Sequence, residues 1–127
     1  MKFHHVALSV RNLENSVDFY QRHFGFAEAK RFERKDMGGK AAFLKLGEIM
    51  LELWEFADKK AAADDYNNLK VLGIKHIALE IQDIEKISKE LRDLGIQTTD
   101  PKQGASGGKY VFLKDPDGIP IELYQES

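Results

Sequence analysis

HHVALSVRNLENSVDFY, residues 4–20, returns in the second half of the chain as KHIALEIQDIEKISKEL, residues 75–91. Aligning His5 with His76 also places Ala7 on Ala78, Leu8 on Leu79 and Glu14 on Glu85. The likeness runs on beyond this stretch. GGKAAFLKLGEIMLELWE (38–55) matches GGKYVFLKDPDGIPIELYQ (107–125), so that Glu52 and Leu53 fall on Glu122 and Leu123. Repetition in this order indicates a duplicated structural unit, which has to be recognised before any fold is assigned.

Each copy reads as β-α-β-β-β. Residues 3–10 and 74–81 alternate apolar and polar with the period of a strand. Asn12 and Asp83 are N-cap residues, because a short polar side chain satisfies free amides of the first helical turn. Leu13, Val17, Tyr20 and Phe24 then recur at helical spacing, as do Ile84, Ile87, Leu91 and Leu94. Gly25 and Gly95 end the two helices. Further strands are expected near 26–35, 40–46 and 49–55, and near 96–99, 109–114 and 119–124. DPDG at 115–118 is a hairpin turn. KRFERK at 30–35 reads as an edge strand guarded by charge. The expectation is one domain over 1–127: module one about 1–56, a connector about 57–73 holding a helical turn or two, and module two about 74–127.

Composition restricts the function. The chain has 127 residues, 43% of them apolar, which suits a single packed domain. Its 19 basic and 21 acidic residues nearly cancel, so neither a nucleic acid nor an anionic membrane is an expected partner. Cysteine is absent, which rules out disulfides and thiolate metal sites. No apolar stretch reaches membrane-spanning length and no secretory signal pattern opens the chain, so a cytoplasmic protein is expected.

Strand parity selects candidate site residues. His76, Ala78 and Glu80 share one face of their strand, and His5, Ala7 and Ser9 share the matching face. His4 corresponds to Lys75, and alternation would send it to the opposite face from His5. In the last strand of each copy, Met50, Glu52 and Trp54, or Pro120, Glu122 and Tyr124, turn away from the helix-facing Leu and Ile residues. A carboxylate among such neighbours is costly unless it is paired or bound to a cation. Two imidazoles and two carboxylates without sulfur suit one divalent ion, with Ni, Co, Mn, Fe and Zn all admissible. Lys40, Lys45, Lys109 and Lys114 read as solvated strand positions, QGASGGK (103–109) as a glycine loop, and His23 as a residue favoured by its helix C-terminus.

HHVALSV, SVDFYQRHFGF, MLELWE, KHIALEI and DPDGIPIELYQ resemble motifs of the vicinal oxygen chelate superfamily, which includes glyoxalases, bleomycin-resistance proteins and dioxygenases. That resemblance implies an α+β fold of two tandem βαβββ modules forming an eight-stranded, cup-shaped half-open barrel around a divalent metal. It carries the ligand positions onto His5, Glu52, His76 and Glu122. A set with Glu at 52 resembles glyoxalase I and the methylmalonyl-CoA epimerases more than the two-His, one-Glu dioxygenases. The implied activity is that of a metal-dependent lyase or isomerase of the lactoylglutathione lyase type, moving a proton next to a carbonyl through a metal-bound enediolate or enolate. An epimerase-like racemase and a non-catalytic small-molecule binding or resistance protein are the alternatives. Glu122 is the expected principal base and Glu52 its partner, with a small-molecule substrate and a homodimeric assembly. The chain departs from both enzymes. Ser9 and Phe56 stand where glyoxalase I resembles an Arg and an Asn holding glutathione, and AAFLKL (41–46) lacks the additional acid of the epimerases.

Overall fold

The computed structural model describes residues 1–62 and 65–127, and the chain divides into two compact units, 1–62 and 63–127. Each unit is a βαβββ module. The first contains β1 (His5–Ser9), α1 (Leu13–Phe24), β2 (Ala27–Arg34), a single 3-10 turn (Lys35–Met37), β3 (Gly39–Leu46) and β4 (Ile49–Phe56). The second contains β5 (Ile77–Glu80), α2 (Ile84–Asp93), β6 (Lys102–Gln103), β7 (Lys109–Lys114) and β8 (Pro120–Gln125). No helix among the described residues is long and apolar enough to cross a membrane.

The strand order is the same in both sheets. Sheet one runs β1-β4-β3-β2 and sheet two β5-β8-β7-β6. The first strand of each module therefore lies parallel to its last, while the others pair antiparallel. Charged β2 sits at the edge of its sheet, where Arg31 is bonded to both Glu14 and Glu28.

Helix and sheet faces meet as the periodicities require. Leu13, Val17 and Tyr20 of α1 are buried, together with Ala42, Leu44, Leu51 and Leu53 of the sheet. In module two the buried set is Ile84, Leu91, Val111, Leu113, Ile121 and Leu123. Burying each of these Val, Leu and Ile side chains contributes about 1.5–3 kcal/mol. The helix starts are as expected: Asn12 Oδ1 accepts from the Asn15 amide and Asp83 Oδ1 from the Lys86 amide, each at 3.0 Å. Gly25 closes α1 in the left-handed region at φ 74°, where a Cβ would be strained. Asp115 Oδ1 accepts from the amides of Asp117 and Ile119, which fixes the DPDG turn.

A second device holds each helix and was not foreseen. Glu55 accepts from the Leu13 amide at 2.8 Å, and Gln125 accepts from the Ile84 amide at 2.8 Å. These residues occupy matching positions one place beyond Trp54 and Tyr124, so the last strand of each module caps its own helix.

Three local expectations fail. Residues 96–99 form no strand; only Thr99 joins β7, through its amide to the Phe112 carbonyl at 2.9 Å. The ladder cannot extend because Arg92 takes the Thr99 carbonyl, the Thr99 hydroxyl takes the Phe112 amide, and Pro101 has no amide to offer. Pairing resumes at Lys102, as β6. The described part of the connector holds no helix, only turns closed by Asn68 to Asp65 and Val71 to Asn68. Asp65 and Asn68 side chains capture the Asn67 and Lys70 amides, an arrangement that competes with helix formation. Residues 63–64 of that segment lie outside the described residues. The third failure concerns His4, beside the candidate ligand His5.

Candidate metal centre

The parallel pairing of first and last strands creates a His–Glu pair in each module. Ala7 lies opposite Glu52 in register, and Ala78 lies opposite Glu122. His5 and His76 are each two residues before that alanine, on the same face, so each histidine is the diagonal neighbour of its glutamate. His5 Nε2 lies 3.9 Å from Glu52 Oε1, and His76 Nε2 lies 2.9 Å from Glu122 Oε2. The glutamates are the more buried partners, with 15% and 18% of the side chain exposed. His5 begins β1, whereas His76 falls one residue before β5.

Phenylalanine backs each pair. Phe43 and Phe112 stand opposite Glu52 and Glu122 across the antiparallel ladders. Each packs edge-on against its histidine with ring centroids 5.2 Å apart. Phe112 was missed as a site residue in the sequence, although its alignment with Phe43 was visible there. Aromatic cover extends through Phe32, Trp54 and Phe56 in module one and Tyr110 in module two. Two glycines admit these rings. A Cβ on Gly39 would come 2.6 Å from the Phe56 ring, and one on Gly108 would come 2.5 Å from the Tyr124 ring and the Gln125 carbonyl.

His4 does not turn away from His5. The two Nδ1 atoms are 2.8 Å apart, the rings are T-shaped, and His4 also packs edge-on against Phe43 at 6.0 Å. His4 is the residue before β1; its carbonyl still accepts from the Met50 amide at 3.1 Å, but its side chain turns to His5 and Phe43. The other polar candidates are structural. Lys40 meets Glu55 at 3.5 Å and Lys109 meets Glu85 at 3.6 Å. His23 has its affinity for a proton lowered, first by burial and then by the neighbouring Arg22 charge, which outweigh Asp18.

An open cleft of about 400 Å³ is present in module one beside Gly39 and Phe56. Glu33 and Glu55 face Lys35 and Lys40 around it, and neither His5 nor Glu52 lines it. Its charges balance, and it contributes no group suited to acid–base work beyond surface carboxylates.

The donor set fits a cation. Donors bound about 2.1 Å from one ion are separated by roughly 3–4 Å, depending on their angle; the His5–Glu52 distance of 3.9 Å lies in that span and the His76–Glu122 distance of 2.9 Å at its lower edge. Among the described residues no cluster of three or more His, Asp or Glu side chains forms, so the arrangement within each module is a pair.

Sequence comparison matches residues 2–123 to the Glyoxalase/Bleomycin resistance protein/Dioxygenase superfamily. The chain belongs to that superfamily. Among its relatives in this superfamily, a mitochondrial methylmalonyl-CoA epimerase of Dictyostelium discoideum is 32% identical, covering 98% of this chain and 78% of the relative. A lactoylglutathione lyase of Escherichia coli O157:H7 is 30% identical, over 99% of this chain and 93% of the lyase. A solved glyoxalase family protein from Enterococcus faecalis superposes with a TM-score of 0.84 at 31% identity, covering 97% and 96% of the two chains. The superfamily spans enzymes and resistance proteins alike, so membership leaves the reaction to be argued from the site.

Proposed function

We propose that His5, Glu52, His76 and Glu122 together hold one divalent cation and that the protein is a glyoxalase-like lyase or isomerase. The observation carrying this reading is the pair of matched His–Glu neighbours, repeated at the same register offset in two modules. Ni, Co, Mn, Fe and Zn all suit the N and O donors. When bound, the cation would stabilise negative charge developing on a substrate oxygen. The substrate class is a small 2-oxo compound or a thioester, whose carbon beside the carbonyl becomes acidic enough for a carboxylate to deprotonate.

Within this reading Glu122 is the principal base. Among the described residues its carboxylate is paired with His76, whereas Glu52 Oε1 already accepts the Trp54 indole N–H at 2.6 Å. A carboxylate engaged by a fixed donor suits holding, and one without such a donor suits carrying a proton. Glu52 is the partner carboxylate across the substrate. Phe43 and Trp54 beside the module-one pair, and Phe112 beside the module-two pair, supply apolar cover that would limit water at each pair.

The similarity to a methylmalonyl-CoA epimerase favours a second reading, racemisation at the carbon beside a CoA thioester. Deuterium exchange separates the two. Metal-loaded protein in heavy water is offered methylglyoxal with several thiols, and separately a panel of CoA esters. Lyase chemistry consumes the first set and yields hydroxyacyl thioester; epimerase chemistry puts deuterium into an ester without consuming it. A protein that exchanges nothing, yet binds small molecules equally well with chelator present, is a binder and the enzymatic reading is wrong. The metal reading has its own test. His5→Ala should lose stoichiometric binding of Ni(II) and Co(II), and undiminished binding contradicts the ligand set. We also propose a cytoplasmic homodimer; Leu69, Leu72 and Ile74 offer exposed apolar surface for a second copy.

A further inference from the structure

The two half-sites are duplicated in their ligands but not in what surrounds those ligands. In module one both candidate ligands have a hydrogen-bonding support. Glu52 Oε1 accepts from Trp54 Nε1 at 2.6 Å, and His5 Nδ1 lies 2.8 Å from His4 Nδ1, opposite the ring edge that faces Glu52. In module two the corresponding supports are replaced. Lys75 stands at the position of His4, and its ammonium reaches the Asp65 carbonyl at 3.2 Å. Tyr124 stands at the position of Trp54, and its hydroxyl is bonded to Ser106 at 2.8 Å. His76 and Glu122 instead lie against each other at 2.9 Å, while His5 and Glu52 are held 3.9 Å apart.

We propose that Trp54 and His4 are positioning residues that fix Glu52 and His5, making module one the preset half of the metal site and module two its adjustable half. This rests on the metal reading above and specifies which residues prepare it. The chemistry is that of an outer hydrogen-bond shell. A histidine that binds a cation through Nε2 carries its proton on Nδ1, and a fixed acceptor for that proton sets both tautomer and ring orientation. His4, protonated on its own Nε2, presents its Nδ1 lone pair as that acceptor. The indole N–H does the same for the carboxylate, holding Oε1 and restricting rotation of the group. Trp54 is itself held, by an edge contact to Phe32 at 5.2 Å and by stacking on Phe56 at 5.4 Å. Among the described residues module two has no such brace, which leaves its histidine and glutamate free to adjust to the ion. That freedom matches the proton-carrying role assigned to Glu122.

The test is calorimetric titration of metal-depleted protein with Ni(II) and Co(II), read as affinity and not as turnover. Trp54→Phe keeps the ring and removes the donor, and His4→Leu removes the acceptor. Each should weaken binding by about 10–100-fold, the usual effect of losing an outer-shell partner. His4→Asn returns an acceptor at nearly the same place and should recover most of the affinity, which a merely structural role would not produce. Tyr124→Phe, at the matched position of module two, should leave affinity unchanged. Because Trp54 is the lone tryptophan, its emission should also shift on metal addition to the wild type. Melting curves of the metal-free variants, with His4 on the exposed surface, separate misfolding from loss of support. Equal affinity of wild type, Trp54→Phe and His4→Leu overturns the inference while leaving the metal site standing. A wild type that binds neither ion overturns the metal reading and this inference with it.

Discussion

Single side chains illustrate how duplication and local context divide the work. His5 and His76 were selected by parity, and the structure puts each beside the glutamate that the same reasoning chose. Alternation predicts the opposite face for His4, yet at the very start of the ladder, where its carbonyl accepts from the Met50 amide, its side chain turns to His5 and Phe43. His23 gives a pH prediction with a definite sign. Burial lowers its folded-state proton affinity, so the unfolded chain binds the proton more readily and stability is lost as pH falls below about 6.5, the ordinary histidine value. His23→Gln should flatten the fall in melting temperature between neutral and mildly acidic pH. An unchanged slope would mean that other groups set it. Ser88 supplies a contrasting case. Its hydroxyl is buried with no partner among the described residues, so Ser88→Ala should leave stability unchanged or raise it by up to about 1 kcal/mol in denaturant unfolding.

Elements were legible where their signals are local. Both N-caps, Gly25 as the cap of α1, Gly95 one residue beyond the Leu94 cap of α2, and the strand-turn-strand of 109–125 followed from residues within a few positions of one another. Asn12→Ala and Asp83→Ala should each cost about 1 kcal/mol of stability, measured by urea unfolding. The strand expected at 96–99 failed because Arg92, Thr98 and Asp100 make a competing network that the sequence does not announce. Element contacts also distinguish two aligned glycines. Gly39→Ala would press on a ring that can shift, but Gly108→Ala would press on the Gln125 carbonyl as well as Tyr124. Overpacking of this kind typically costs about 1–3 kcal/mol, and Gly108→Ala should fall at the upper end and Gly39→Ala at the lower. Equal melting temperatures for the two variants would show that the β8 backbone yields after all.

For the molecule as a whole, metal and stability should be linked. A cation that binds only the folded chain stabilises it by about 2.7 kcal/mol when present at 100 times its dissociation constant. Saturating Ni(II) or Co(II) should therefore raise the melting temperature, chelator should reverse the gain, and His76→Ala should abolish it. No shift in the wild type would argue against the proposed centre. The sequence by itself determined the duplication, the order of elements in each module, and which histidine and glutamate of each copy share a face. It could do so because strand period, helix period and capping are properties of neighbouring residues. Only the tertiary structure decided that first and last strands lie parallel and adjacent, which turns residues far apart in the chain into diagonal neighbours. It alone decided the supports as well: Trp54 on Glu52, His4 beside His5, Ser106 on Tyr124. Those bonds depend on rotamers and on chain just outside the ladders, where no periodicity constrains a side chain. The repeat that opens the chain thus announces two equal halves, and the folded protein makes them unequal.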